Sequence, residues 1–295
     1  MRVRAIVTLA GALLAAAPAF ADPAATPMVA VGPQYGTTHV YVDPADMATF
    51  AASFTATFGG KSSPPATMTV TPTPSSTRFE AVQTPAGSLS VFGFATPIPF
   101  GFGAERTGYL VTDMDAAIAA AKADGADVLV APFPDSIGRD AVIQWPGGVN
   151  MQLYWHTTPP SYPALASVPE NRLYLSKERA DVFIRDFVAF SHGQVTSDDA
   201  AAPGVEIGRP GETYRRVRIS SAFGRAVVLV TDGHLPWPYG REMTGYEVAD
   251  LPGTLAKAGA SGAKVLVTLY AADRRDAAIV QFPGGYIAEI HAVRP

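Results

Sequence analysis

Residues 107 to 117 read TGYLVTDMDAA and residues 244 to 254 read TGYEVADLPGT, the same phrase 137 positions later. In each, an apolar stretch runs into an aspartate, Asp113 or Asp250, and then into a run of small residues. That order predicts a strand followed by a capped helix. The register persists downstream. Gly125 falls on Gly262, Val128 to Val130 on Val265 to Val267, Gln144 on Gln281, and Pro146-Gly147-Gly148 on Pro283-Gly284-Gly285. Upstream, an offset of 133 carries Tyr41 onto Tyr174, Phe50 onto Phe183, Phe54 onto Phe187 and Gly60 onto Gly193. A register kept this long marks a tandem duplication, with copies at 37 to 156 and 170 to 292. Residues 157 to 169, TTPPSYPALASVP, are expected to form an exposed linker between two domains.

Each copy divides again. Thr38 to Val42 alternates like a strand, and Asp43 is expected to cap a helix carrying Met47, Phe50, Phe54 and Phe58 on one face before Gly59-Gly60 stops it. Thr69 to Val70, Arg78 to Val82 and Leu89 to Phe94 are short strand candidates between Pro, Ser and Gly turns. The second half of the copy repeats the order, with strands at Tyr109 to Val111, Val128 to Ala131, Ala141 to Gln144 and Asn150 to Trp155 around a helix capped by Asp113. In the second copy, Ser176 and Asp250 cap the two helices. The expected class is α+β, with four βαβββ modules forming two paired-module domains.

Composition narrows the function. The chain has 295 residues, no cysteine, 48% hydrophobic residues and a net charge of −4, with no run of either sign. Thiol catalysis and thiolate metal sites are excluded, and neither nucleic acid nor an anionic membrane surface is an expected partner. Arg2 and Arg4 precede an apolar run ending in Ala19-Phe20-Ala21, so residues 1 to 21 read as a cleaved secretory signal. No later stretch is long enough to span a bilayer. The expected mature chain is periplasmic or secreted, with no integral membrane association after cleavage and a small-molecule ligand as its partner.

THVYVDPAD from Thr37's neighbour Thr38 onward, TGYLVTDMDAAIAAAKADGADVL from Thr107, and the closing PGGVNMQLYW and PGGYIAEIH resemble the vicinal oxygen chelate superfamily. This is the glyoxalase, bleomycin-resistance and extradiol dioxygenase group. The resemblance implies that paired modules enclose a cavity for a metal and a substrate, with ligands on the first and last strands of modules. Carried over, it puts His39 and Gln152 at ligand positions of the first copy, and Arg172 and Glu289 at those of the second. The family's other histidine position falls near Arg106 or Met243. The aspartate that commonly opens the closing turn is Trp145 in one copy and Phe282 in the other.

Neither copy has a complete His, His, Glu set. Strand alternation puts Gln152, Tyr154 and His156 on one face, so His39, Gln152 and His156 form a possible divalent metal site. In the second copy Arg172 is expected to pair with Glu289 in place of a metal. His39 and Arg106 are the candidate catalytic residues: the imidazole is an acid-base group or ligand, and the guanidinium a stabiliser of developing oxygen charge. Gln152, Tyr154, Phe100 and Trp237 are candidate ligand contacts. The last two lie in the loops Pro97-Ile98-Pro99-Phe100-Gly101 and Pro236-Trp237-Pro238-Tyr239-Gly240, which read either as rigid crossovers or as lips of a cavity. Arg139-Asp140 and Arg275-Asp276 read as exposed loop salt bridges.

The classes left open are a metal-dependent lyase or dioxygenase, a metal-free binder of a small, largely uncharged molecule in the first concavity, and a structural protein that keeps the fold alone.

Overall fold

Alternation of period two and helical runs capped by aspartate or serine recur four times along the chain, and each recurrence folds as one strand, one helix and a further set of strands. The computed structural model describes residues 28 to 294, so the expected signal segment lies outside the described residues. The first module is β1 (Gly36–Tyr41), α1 (Met47–Phe58), β2 (Lys61–Ser62), β3 (Ala66–Met68), β4 (Thr77–Thr84) and β5 (Gly87–Phe94). The second is β6 (Arg106–Leu110), α2 (Met114–Ala123), β7 (Asp127–Pro134), β8 (Gly138–Trp145) and β9 (Val149–His156). The third is β10 (Glu170–Leu175), α3 (Lys177–Ser191), β11 (Gln194–Pro203), β12 (Thr213–Ser221) and β13 (Gly224–Val230). The fourth is β14 (Met243–Glu247), α4 (Leu251–Ala260), β15 (Lys264–Ala272), β16 (Arg275–Gln281) and β17 (Ile287–Val293).

Two of the four helix starts follow the expected chemistry; Ser176 stands at the N-cap of α3 but its side chain makes no capping bond there, and Asp43 is the other correction. Asp113 accepts from the Ala116 amide and Asp250 from the Gly253 amide, each closing a first turn. Asp43 does not cap α1. Its Oδ1 accepts from the Ala45 amide and holds the turn ahead of the helix, which begins after Asp46. Thr69 and Val70 fall just beyond β3. Pro64 and Pro65 lack the amide protons that a continuous edge strand needs, so β2 and β3 pair separately with β4.

Two modules make each sheet. The first has the order β2-β4-β5-β1-β6-β9-β8-β7, with β3 also on β4, and the second has β11-β12-β13-β10-β14-β17-β16-β15. In both, the opening strands of paired modules meet antiparallel at the centre, placing His39 opposite Arg106 and Arg172 opposite Met243. Each of those strands also has a parallel neighbour, β5 for β1 and β9 for β6 in the first sheet.

The helices lie between the sheets. One core joins Phe50 and Phe54 of α1 to Tyr246, Phe282 and Tyr286 of the fourth module. The other joins α2 and Trp145 to Phe183, Phe187 and Phe190 of α3. This packing explains the aromatic residues that stand where the resembled family has an aspartate. Trp145 sits 5.2 Å from the Phe190 ring and Phe282 sits 5.1 Å from Phe54, each plugging the helix layer of the other copy. Residues 157 to 169 run partly exposed over the surface and are held down: the Ala166 amide donates to the Pro85 carbonyl and the Ser167 hydroxyl to the Glu247 carbonyl.

Candidate functional site

Alternation sorts the central strands into two faces. On β9, Val149, Met151 and Leu153 enter the core, while Gln152, Tyr154 and His156 face the concavity of the first sheet. On β1, Val40 enters the core and Thr37, His39 and Tyr41 face the concavity. Arg106 of β6 joins them. The resulting cavity measures about 320 Å³, at the small end of the range of roughly 300 to 1,000 Å³ for small-molecule sites. Its two modules contribute unlike walls. The first supplies Phe79, Phe92 and Phe94 with Met68 and Val70, and the second supplies Asp140, Gln152, Tyr154 and His156.

At the floor, Arg106 is 2% exposed. Its Nη1 donates to Tyr41 Oη at 2.6 Å and to the carbonyls of Ala104 and Phe102, and its Nη2 donates to Gln152 Oε1 at 2.5 Å. The Phe102 ring lies 5.4 Å from the guanidinium carbon. His39, 3% exposed, packs edge-on against Phe92, and its Nδ1 has no hydrogen-bond partner among the described residues. Burial, with the Arg106 charge adding to it, lowers its pKa well below the ordinary histidine value, so the ring is neutral at physiological pH. Tyr154 donates its hydroxyl to the Tyr35 carbonyl. Tyr162, from residues 157 to 169, lines one side of the cavity and packs, tilted, 5.2 Å from the Tyr35 ring.

The expected site residues thus divide. His39, Arg106, Gln152, Tyr154 and His156 line one cavity. Phe100 and Trp237 do not. They are 83% and 66% exposed, and Phe102, two residues on, supplies the ring that reaches the site. The proline-bounded loops hold Phe100 and Trp237 outward as crossovers between modules. Asp140 is a site residue that the sequence reading missed. Arg139 does form the exposed bridge, to Asp115 at 3.0 Å, but the next side chain alternates inward and lines the cavity. Burial and the neighbouring Asp135 push the Asp140 carboxyl up to about 7, with Gln152 and Arg106 pulling it partly back. Its strand position, opposite Tyr154 on β9, was the available signal.

The three positions at which the resembled family carries metal ligands hold an imidazole, a guanidinium and an amide. They do not fit a divalent cation. Gln152 Oε1, the amide's donor atom for a metal, accepts from Arg106, and the permanent positive charge of that arginine repels a second cation. His156, half-buried at the rim, adds one nitrogen to this set but does not remove the guanidinium. Among the described residues no group of three or more His, Asp or Glu side chains converges as a metal site.

The second concavity is filled by its own side chains. Arg172 Nη1 lies 2.8 Å from Glu289 Oε2, the pairing expected from the sequence. Glu289 also accepts from Tyr270 at 3.1 Å and lies 3.0 Å from His291 Nδ1. Beside them Glu170 binds Arg275 and Arg218, and Arg216 pairs with Glu206 and Asp273.

No protein-family model and no curated protein sequence matches the chain. Solved structures do. A mutant of 4-hydroxymandelate synthase from Streptomyces coelicolor superposes with a TM-score of 0.60 and 13% identity over 89% of this chain and 93% of that one. A xylose isomerase-like TIM barrel/4-hydroxyphenylpyruvate dioxygenase fusion protein superposes with a TM-score of 0.56 and 14% identity, over 92% of this chain and 50% of the fusion. Both share the vicinal oxygen chelate fold, and so does this chain. At such identity the likeness is one of architecture, and function rests on the site.

Proposed function

We propose that the chain binds a small, largely apolar molecule in the concavity of its first sheet through protein side chains alone. The observation that carries this reading is the contrast between the two concavities. One holds a lined cavity with a neutral His39 at its floor, whose Nδ1 has no hydrogen-bond partner among the described residues, and the other is packed with ion pairs. An aromatic wall supplies affinity by burying apolar surface, and the Asp140, Gln152 and Tyr154 wall orients a ligand's polar edge. A metal-dependent lyase or dioxygenase is the second reading, because the structural neighbours include a 4-hydroxymandelate synthase mutant and a 4-hydroxyphenylpyruvate dioxygenase fusion protein. The guanidinium at a ligand position weighs against it.

Calorimetric titration of small aromatic probes tests the first reading. His39→Ala and the cavity-filling Ser90→Phe should each weaken saturable binding at least ten-fold, while Glu289→Gln, once shown to fold, should leave it within about two-fold. Metal analysis of the same preparation should find no stoichiometric ion. Equal loss in all three variants, or a bound metal whose removal abolishes binding, would reject the reading. Export is part of the proposal on the strength of residues 1 to 21. Mass spectrometry of the protein from a periplasmic or secreted fraction should find Asp22 at its N-terminus, and recovery of intact Met1 in membranes would count against it.

A further inference from the structure

The buried acids of the two sheets are partnered unequally. In the second sheet Glu170 meets Arg218 and Arg275, Glu206 meets Arg216, and Glu289 meets Arg172. In the first, Asp140 is 8% exposed, lines the open cavity, and has no cation within ion-pair distance among the described residues. Arg139, its neighbour in sequence, points away to Asp115. The side chain that bonds Asp140 is neutral: Gln152, whose carbonyl oxygen is taken by Arg106, donates its amide N–H. A desolvated carboxylate without a counter-charge is costly, so such a group either holds a proton or meets a cation supplied from outside.

The surrounding charges select the sign of what can enter. Asp135 lines the same cavity, and it acts on Asp140 more strongly than Arg106 does. Its Oδ1 accepts from the amides of Ile137 and Gly138, which fixes the carboxylate in place. Arg106 keeps a cation from the Gln152 carbonyl at the floor. Its Nη atoms, however, are engaged by four neutral acceptors, and on its other side lies the cleft lined by Glu105 and Glu242. The remaining titratable groups of the wall are neutral at physiological pH. Burial lowers the pKa of His39 and of His156 below the ordinary histidine value, and it raises those of Tyr41, Tyr154 and Tyr162.

The first module supplies the other wall, where Tyr41, Phe79 and Phe94 lie 5.7, 5.5 and 6.4 Å from the Phe92 ring. Ring faces are electronegative, so this wall packs an apolar body without opposing a cation attached to it. Resting on the reading that the first cavity is the binding site, we propose that its ligand is a protonated amine on a small apolar body. The ammonium donates to Asp140, and the body packs against Tyr41, Phe79, Phe92 and Phe94. The largely uncharged ligand expected from the sequence thereby gains one positive end.

The test compares probes of one size and three charges. Benzylamine is titrated by calorimetry into the purified protein at pH 8 beside benzyl alcohol and benzoate. Benzylamine should bind at least ten-fold more tightly than the alcohol, and benzoate most weakly. Burial and Asp135 hold the Asp140 carboxyl up at about 7. A cation that needs it ionised should therefore gain roughly ten-fold in affinity from pH 6 to pH 8, while the alcohol gains nothing. At pH 6 the bound amine should also displace a proton, read as a binding enthalpy that changes with the buffer's own heat of ionisation. Asp140→Asn should bring amine and alcohol within about two-fold of each other and remove the pH dependence. Should that variant not fold, the pH profile and proton release of the unaltered protein carry the test. Alcohol binding as tightly as amine, or an amine preference that survives in Asp140→Asn, would overturn the charge assignment and leave the cavity reading standing. Benzoate as the tightest probe, or an amine affinity flat between pH 6 and pH 8, would overturn it as well. If none of the three probes binds, the cavity reading itself falls, and this inference with it.

Discussion

Each half of the molecule carries one buried arginine on its central strand pair, but on opposite members of that pair. Arg172 lies on the first strand of its half and meets Glu289, whereas Arg106 lies on the second and meets Gln152. The difference of one carboxylate for one amide separates a filled concavity from an open one. It also has a pH signature. Burial raises the Glu289 pKa, but Arg172 and the His291 hydrogen bond outweigh it and bring the group down to about 2. A carboxylate depressed in the folded state stabilises above its unfolded value, and that stabilisation disappears as pH falls through the folded one. Between about pH 4.5 and 2 the protein should therefore lose on the order of 3 kcal/mol from this group. Arg172→Met should cost about 3 to 5 kcal/mol at pH 7, because it leaves a buried carboxylate alone. Arg172→Met with Glu289→Leu should recover much of that loss and flatten the acid limb, as followed by urea unfolding against pH.

Helix α1 shows how one element ties the copies together. Its stripe of Phe50, Phe54 and Phe58 was legible from spacing as a buried face, and all three rings do pack. The partner was not legible. Periodicity says that a helix has an apolar side but not which surface covers it. The cover comes from the fourth module, where Tyr246 lies 5.5 Å from Phe54 and Phe282 lies 5.1 Å away, and Ser53 and Ser261 hydroxyls meet across the helix pair. Phe54→Ala should cost about 3 to 5 kcal/mol. Spectroscopic probes in both copies should report that loss as one shared transition. A loss confined to the first copy would contradict the shared core.

Taken whole, the chain is two sheets with a common interior. Modules one and four share one core, and modules two and three share the other. The Thr38 and Thr244 hydroxyls meet at 3.2 Å where the central strands of the two sheets approach each other. Separating the copies would expose the inner face of every helix, so residues 28 to 165 and 166 to 295 expressed alone should show poor dispersion and aggregate. Mixing the two should restore a folded complex. A well-folded, monomeric single half would show that each sheet carries a sufficient core of its own.

The duplication, the four modules, the capping aspartates and the inward row of Gln152, Tyr154 and His156 were all legible in the sequence. They depend on local spacing and on a register that repeats along the chain. The interleaved packing, the role of Trp145 and Phe282, the outward positions of Phe100 and Trp237, and the neutral partners of Arg106 were not. Each depends on which distant residue arrives within a few ångströms, and spacing along one strand carries no record of that. Arg172 and Arg106 look alike in the sequence. A carboxylate pairs with only one of them among the described residues, and that difference leaves the first concavity open above a guanidinium held by neutral acceptors.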